Sequence, residues 1–115
     1  RDDEAQRAKA AFDAQAGEPG GLFIADVVLA ELCWTLARAY RLARPDIART
    51  VRALLDNSSI AFESPDAVRA ALISFEAGTV DFPDCLIVAK ARHAGCGRVL
   101  TFDQRMTALP GVELL

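Results

Sequence analysis

Apolar residues fall along the chain in two kinds of pattern. Short apolar runs occupy residues 22–25, 60–62, 98–102 and 112–115, bounded by Gly, Pro, Asp or Asn, and such runs predict short buried strands. Between them, apolar positions recur at helical spacing and predict helices over 2–16, 27–42, 46–55, 67–77 and 81–94, with a short one over 104–109. The punctuation agrees with this reading. Glu18-Pro19-Gly20-Gly21 breaks the first helix, Asp26 is placed to cap the next, and Pro45 to stop it. Ser64-Pro65-Asp66 opens another, and Gly95-Cys96-Gly97 ends the helix begun at Asp81, since glycine tolerates the left-handed backbone of a helix end. Short strands alternating with amphipathic helices predict an α/β domain with a mostly parallel sheet.

Composition narrows the class. The chain has 115 residues, 52% of them hydrophobic, a length that suits one domain and one core. Thirteen basic against sixteen acidic residues give a net charge of −3, which excludes a uniformly basic nucleic-acid coat but leaves room for a local basic surface. Eleven of the thirteen cations are Arg, a bias that suits phosphate or carboxylate contacts, although base composition and solubility explain it as well. Cys33, Cys85 and Cys96 form an odd set without a CxxC spacing, so free thiols in a cytoplasmic protein are expected rather than disulfides or a zinc ribbon. His93 is the single histidine, which excludes a multi-histidine zinc site and disfavours a Ser–His or Cys–His nucleophile. No apolar run approaches the roughly 20 residues of a membrane span.

The carboxylates at strand ends carry the candidate chemistry, because ligands of open α/β sheets bind beyond the carboxyl ends of the strands. Asp103 follows the strand ending at Phe102; alone, it reads equally as an N-cap for the next helix. Asp81 and Asp84 stand three apart at a helix start, sharing a face, where first-turn acids also serve the helix dipole. Glu31 lies beside Val27, Val28 and Trp34 at helical spacing, which predicts an apolar setting and therefore a paired or metal-bound carboxylate. Several acids and no histidine at strand ends suit Mg²⁺ or Mn²⁺ and metal-assisted phosphodiester hydrolysis.

Three segments resemble one family. Val27-Val28-Leu29-Ala30-Glu31-Leu32-Cys33-Trp34, then Asp81-Phe82-Pro83-Asp84-Cys85-Leu86-Ile87-Val88-Ala89, then Leu100-Thr101-Phe102-Asp103 with Leu109-Pro110-Gly111-Val112 resemble PIN domains, particularly VapC-type toxins, in the same order. The resemblance implies a three-layer α/β/α fold with a mostly parallel central sheet and a Mg²⁺- or Mn²⁺-dependent endoribonuclease. It also implies an RNA substrate, a homodimer and inhibition by a cognate antitoxin protein. On this resemblance Glu31, Asp84 and Asp103 hold the metal, and Asp81 is a fourth acid of the catalytic set. One departure is at the front: the family's first strand, central in its sheet, carries the first aspartate, and the chain from Arg1 has no counterpart to either. That absence predicts unpaired edges on the neighbouring strands and, for a protein starting at Arg1, weak metal binding and little nuclease activity.

Two other classes compete. A degenerate, non-catalytic PIN fold would serve as a dimerisation or antitoxin-binding module, with Leu32, Trp34 and Leu36 either in its interface or in the core. A different metal-dependent phosphohydrolase would act on small phosphate esters. Thr101 is placed to hydrogen-bond near Asp103 or to satisfy itself within the sheet. Arg38, Arg41 and Arg44, at helical intervals, read as a solvated face or a phosphate-attracting one.

Overall fold

A computed structural model describes residues 3, 4, 6, 7, 9, 10 and 19–115. Asp3, Glu4, Gln6, Arg7, Lys9 and Ala10 are helical and exposed; the rest of the helix expected over 2–16 lies outside the described residues. From residue 19 onward the elements are β1 (Leu22–Ile24), α1 (Asp26–Arg38), α2 (Arg44–Asp56), β2 (Ile60–Phe62), α3 (Pro65–Ala77), α4 (Phe82–His93), β3 (Val99–Thr101), a 3₁₀ turn (Gln104–Ala108) and β4 (Val112–Leu114). The α/β fold predicted from the hydrophobic pattern is therefore present, strand for strand.

All strand pairing is parallel, but the sheet comes as two separate pairs. β1 lies along β2 with Phe23 opposite Ala61, and β3 lies along β4 with Leu100 opposite Glu113. Among the described residues neither pair joins the other. Ile24, Phe62 and Val99 turn toward the core formed by the four helices, whereas Phe23 and Leu100 face away and are exposed. That alternation is the period of two of any strand.

The helices meet through Leu29 and Cys33 of α1, Val51 of α2, Val68 of α3 and Phe82 of α4, all at most 2% exposed. Several boundaries differ from expectation for physical reasons. α1 ends at Arg38, because Arg41 takes a left-handed backbone with φ of 55° and turns the chain. Pro45 then sits in the first turn of α2, where its missing N–H costs nothing, and opens that helix rather than stopping α1. Gly95 does adopt the left-handed conformation expected of it, at φ 85° beyond the end of α4. Val27, Val28 and Trp34 are exposed, so the buried stripe of α1 is Leu29 and Cys33, with Leu32 and Leu36 packed partly against the core.

Candidate active site

Two chain segments bring acids together. The first is the start of α4. Phe82 is anchored in the core, edge-on to Phe75 with ring centroids 5.9 Å apart, and fixes the helix entry. Asp81 occupies the N-cap position but makes no side-chain cap bond, so its carboxylate remains available. Asp84, one turn on, is half-buried.

The second segment follows β3. Thr101 Oγ1 accepts a hydrogen bond from the Asp103 backbone N–H at 3.0 Å, fixing the turn that leaves the strand. Asp103 Oδ1 in turn accepts from the Arg105 N–H at 2.9 Å, the N-cap role foreseen for it. The Arg105 guanidinium folds back onto the same carboxylate, with Nε and Nη2 each 3.4 Å from an oxygen.

Electrostatics unites the two segments. Burial pushes the Asp84 carboxyl above the usual carboxylate range, and the charges of Asp103 and Asp81 push it the same way, with Arg105 opposing. Hydrogen bonds from Arg105 hold Asp103 below that range. Arg105 itself is raised, first by Asp103 and further by Asp81 and Asp84. A small cleft of about 40 Å³ lies between Thr79, Val80, Asp81, Asp84 and Arg105. Three mutually repelling carboxylates around a single guanidinium make a site short of positive charge.

A model of the PIN domain matches residues 1–112. The chain belongs to the PIN domain family. It is also 30% identical, over 95 residues, to a VapC ribonuclease of Aquifex aeolicus (strain VF5), a match covering 83% of this chain and 69% of that protein. No solved structure matches it. The chain is thus a PIN-domain protein of VapC type.

Of the four acids singled out in this PIN domain, the fold gathers Asp81, Asp84 and Asp103 into one electrostatic cluster; Glu31 stands apart. Glu31 is exposed on α1, has no ion-pair partner among the described residues, and is not among the charges that shift Asp84. The apolar setting expected for it is absent because its neighbours Val27, Val28 and Trp34 themselves face outward. Among the described residues no three His, Cys, Asp or Glu side chains close into a ligand set. The donor chemistry nevertheless suits a hard divalent cation: oxygen ligands only, in mutual repulsion that a metal would relieve.

Other residues play parts that their sequence context concealed. Asp26 does not cap α1; it is buried, and its Oδ2 accepts from Ser64 Oγ and from Lys90 Nζ, each at 2.7 Å. Arg44 is no solvated cation: it lies over the Phe75 ring at 3.9 Å and donates to the carbonyls of Phe75 and Val80. The three cysteines are free, as expected. Burial pushes the Cys33 thiol up to about 12 and Cys85 to about 11, so neither is a nucleophile at neutral pH.

A second cavity, of about 250 Å³, adjoins the acid cluster and shares Asp81 and Arg105 with it. Trp34, Arg38, Arg44 and Phe75 also line it. Its signal in the sequence was slight: Trp34 and Arg38 are one helical turn apart, which places them on one face of α1.

Proposed function

We propose that this PIN-domain protein is a Mg²⁺- or Mn²⁺-dependent endoribonuclease, the toxin of a toxin–antitoxin pair, held in check by a cognate antitoxin. The observation that carries the reading is the convergence of Asp81, Asp84 and Asp103 at the start of α4 and the end of β3, where burial first and then its two neighbours raise Asp84. The VapC ribonuclease of Aquifex aeolicus supports RNA as the substrate class.

Asp84 and Asp103 would hold the cation, which when bound supplies Lewis-acid stabilisation of the phosphate and a more acidic water; Glu31, the third ligand that the resemblance implies, stands apart on α1 and would join them only by moving toward Asp84. Asp81, uncommitted to its helix, orients the attacking water by accepting its hydrogen bond. Thr101 keeps Asp103 in register through the backbone. Arg105 balances the carboxylates and stands ready for phosphate charge. The exposed Val27 and Val28 of α1 provide apolar surface for a second copy of the chain or for the antitoxin. No helix among the described residues is long and apolar enough to cross a membrane.

The test is cleavage of RNA by the intact protein with Mg²⁺ or Mn²⁺, with EDTA, and after Asp84→Asn. Cleavage that needs the metal and falls by at least about 100-fold in the variant is the expected outcome. No cleavage of any RNA at saturating metal would turn the assignment to a non-catalytic binding module. Turnover of small phosphate esters alone would make it a different phosphohydrolase.

A further inference from the structure

The cavity of about 250 Å³ beside the acid cluster shares Asp81 and Arg105 with it, while Trp34, Arg38 and Arg44 on its other side have no role in that hydrolysis as set out above. We propose that it is a subsite for one unpaired nucleotide of single-stranded RNA, whose base stacks on Trp34 while its phosphates meet Arg38 and Arg105. Its placement next to the scissile bond rests on the nuclease reading above; the binding itself does not.

Three observations converge on a nucleotide. The first is the ring. Trp34 is 57% exposed and lines the cavity, with the Arg38 guanidinium carbon 5.9 Å from its centroid. An exposed indole backed by a cation is a stacking platform open to any base, since every base has a π-face. The second is charge. Three guanidiniums line the cavity, Arg38, Arg44 and Arg105, against the single carboxylate of Asp81. Arg44 is committed, bonding to Phe75 O at 2.6 Å and Val80 O at 2.9 Å, so it stiffens the wall and adds positive potential. Arg38 and Arg105 are exposed; Arg105 is paired with Asp103 through contacts of 3.4 Å, and Arg38 lies over Trp34. On the side away from the acid cluster, Arg38 and Arg44 therefore supply the positive charge that a phosphate would meet.

The third is position. Asp81 and Arg105 border both this cavity and the cleft holding Asp84. A base in the cavity therefore brings its adjoining phosphodiester to the acids. The volume lies below the roughly 300–1,000 Å³ of pockets that enclose a drug-sized molecule, which suits one base and not a folded segment. An unpaired base enters at the least cost, which favours single strands, loops and bulges over a duplex.

Trp34 is the sole tryptophan and reports on its own site. The full chain, kept in EDTA to prevent cleavage, is titrated with a single-stranded RNA of about ten nucleotides and with the same sequence as a duplex. Saturable quenching of Trp34 fluorescence by the single strand, and weaker binding of the duplex, are expected. By fluorescence anisotropy of labelled RNA, Trp34→Ala should weaken binding at least about tenfold, whereas Trp34→Phe keeps most of it. Arg38→Gln should weaken it less and lower its salt dependence. Unchanged RNA affinity in a folded Trp34→Ala protein overturns the proposal. So does a shift of its oligomeric state with RNA affinity intact, or quenching by an acidic peptide and not by RNA. Binding with quenching but no cleavage at any metal concentration would sink the nuclease reading and leave the subsite standing. Cleavage with a KM indifferent to Trp34→Ala would do the reverse.

Discussion

Asp84 is a carboxylate kept in half-dry surroundings with two others nearby, and that position is costly to the fold. Its native pKa lies above the ordinary value of 3.8, chiefly through burial and then through Asp103 and Asp81. A carboxyl whose folded value is raised favours folding while it is protonated. That contribution is complete below pH 3.8 and is lost as pH rises through the native value. At pH 7 the ionised group therefore opposes folding, and Asp84→Asn should raise the denaturant midpoint while removing activity. The gain should disappear below pH 3.8, where the wild-type carboxyl is neutral too. Denaturant titrations of both proteins at pH 7 and pH 3.5 decide it; a destabilised variant at pH 7 would mean that Asp84 is structural. Asp81, Asp84 and Asp103 were legible in the sequence because each sits where a strand ends or a helix starts, a placement fixed by local signals. Arg105 was not, since its role depends on a guanidinium folding back over Asp103 from a short turn that looks like ordinary surface. Glu31 was legible as a position but not as an environment. Apolar neighbours at helical spacing identify a stripe, and only packing decides whether that stripe faces in, as Leu29 does, or out, as Trp34 does.

At the scale of elements, one polar tie binds three helices. Asp26 opens α1, Ser64 immediately precedes α3, and Lys90 lies near the end of α4; all three meet at Asp26 Oδ2. The Asp26 backbone N–H adds a bond to Glu63 Oε1 at 2.9 Å. Oδ1 of the same carboxylate is buried with no partner, so the group is already short of donors. Ser64 makes no side-chain cap bond to α3, although its sequence context reads as a cap. Ser64→Ala therefore removes a donor from a buried carboxylate and little else, and should cost about 1–3 kcal/mol in chemical denaturation. Ser64→Thr, which keeps the hydroxyl, should recover part of that loss. If both variants match the wild type, the hydroxyl contributes nothing that water cannot replace. Helix starts were readable here because Pro, Ser and Asp act within a few residues of themselves. The Asp26–Lys90 contact was not, because it joins residues far apart in sequence, and no local rule distinguishes an acid that caps from one that reaches across.

At the scale of the whole molecule, the parallel sheet of the described residues is divided, and the division has a direction. Leu22 N–H donates to Ser59 O, and Ile24 O accepts from Glu63 N–H, so both ends of β1 turn toward β2. Backbone groups alternate sides along a strand, which leaves the N–H and C=O of Phe23 pointing away from β2. The same holds across the molecule: Val99 N–H donates to Gly111 O and Thr101 O accepts from Leu115 N–H, so Leu100 turns its backbone away from β4. Phe23 and Leu100, 66% and 54% exposed, mark two edges that no other described strand covers. The pattern of apolar runs revealed the strands but not this division, because a run of three or four residues names a strand and not its neighbours. Amide exchange measured by NMR should accordingly be faster at Phe23 and Leu100 than at Leu22 and Val99, whose N–H groups are bonded at 2.8 and 2.9 Å. In a longer chain carrying an apolar strand ahead of Arg1, both slow amides should appear together, because a strand seated between β1 and β3 pairs with each at once. Protection gained at only one of the two would place that strand on an outer edge and leave the acid cluster as it stands. Protection at both, with tighter Mg²⁺ binding, would join the two pairs into one sheet whose carboxyl ends converge on Asp84 and Asp103.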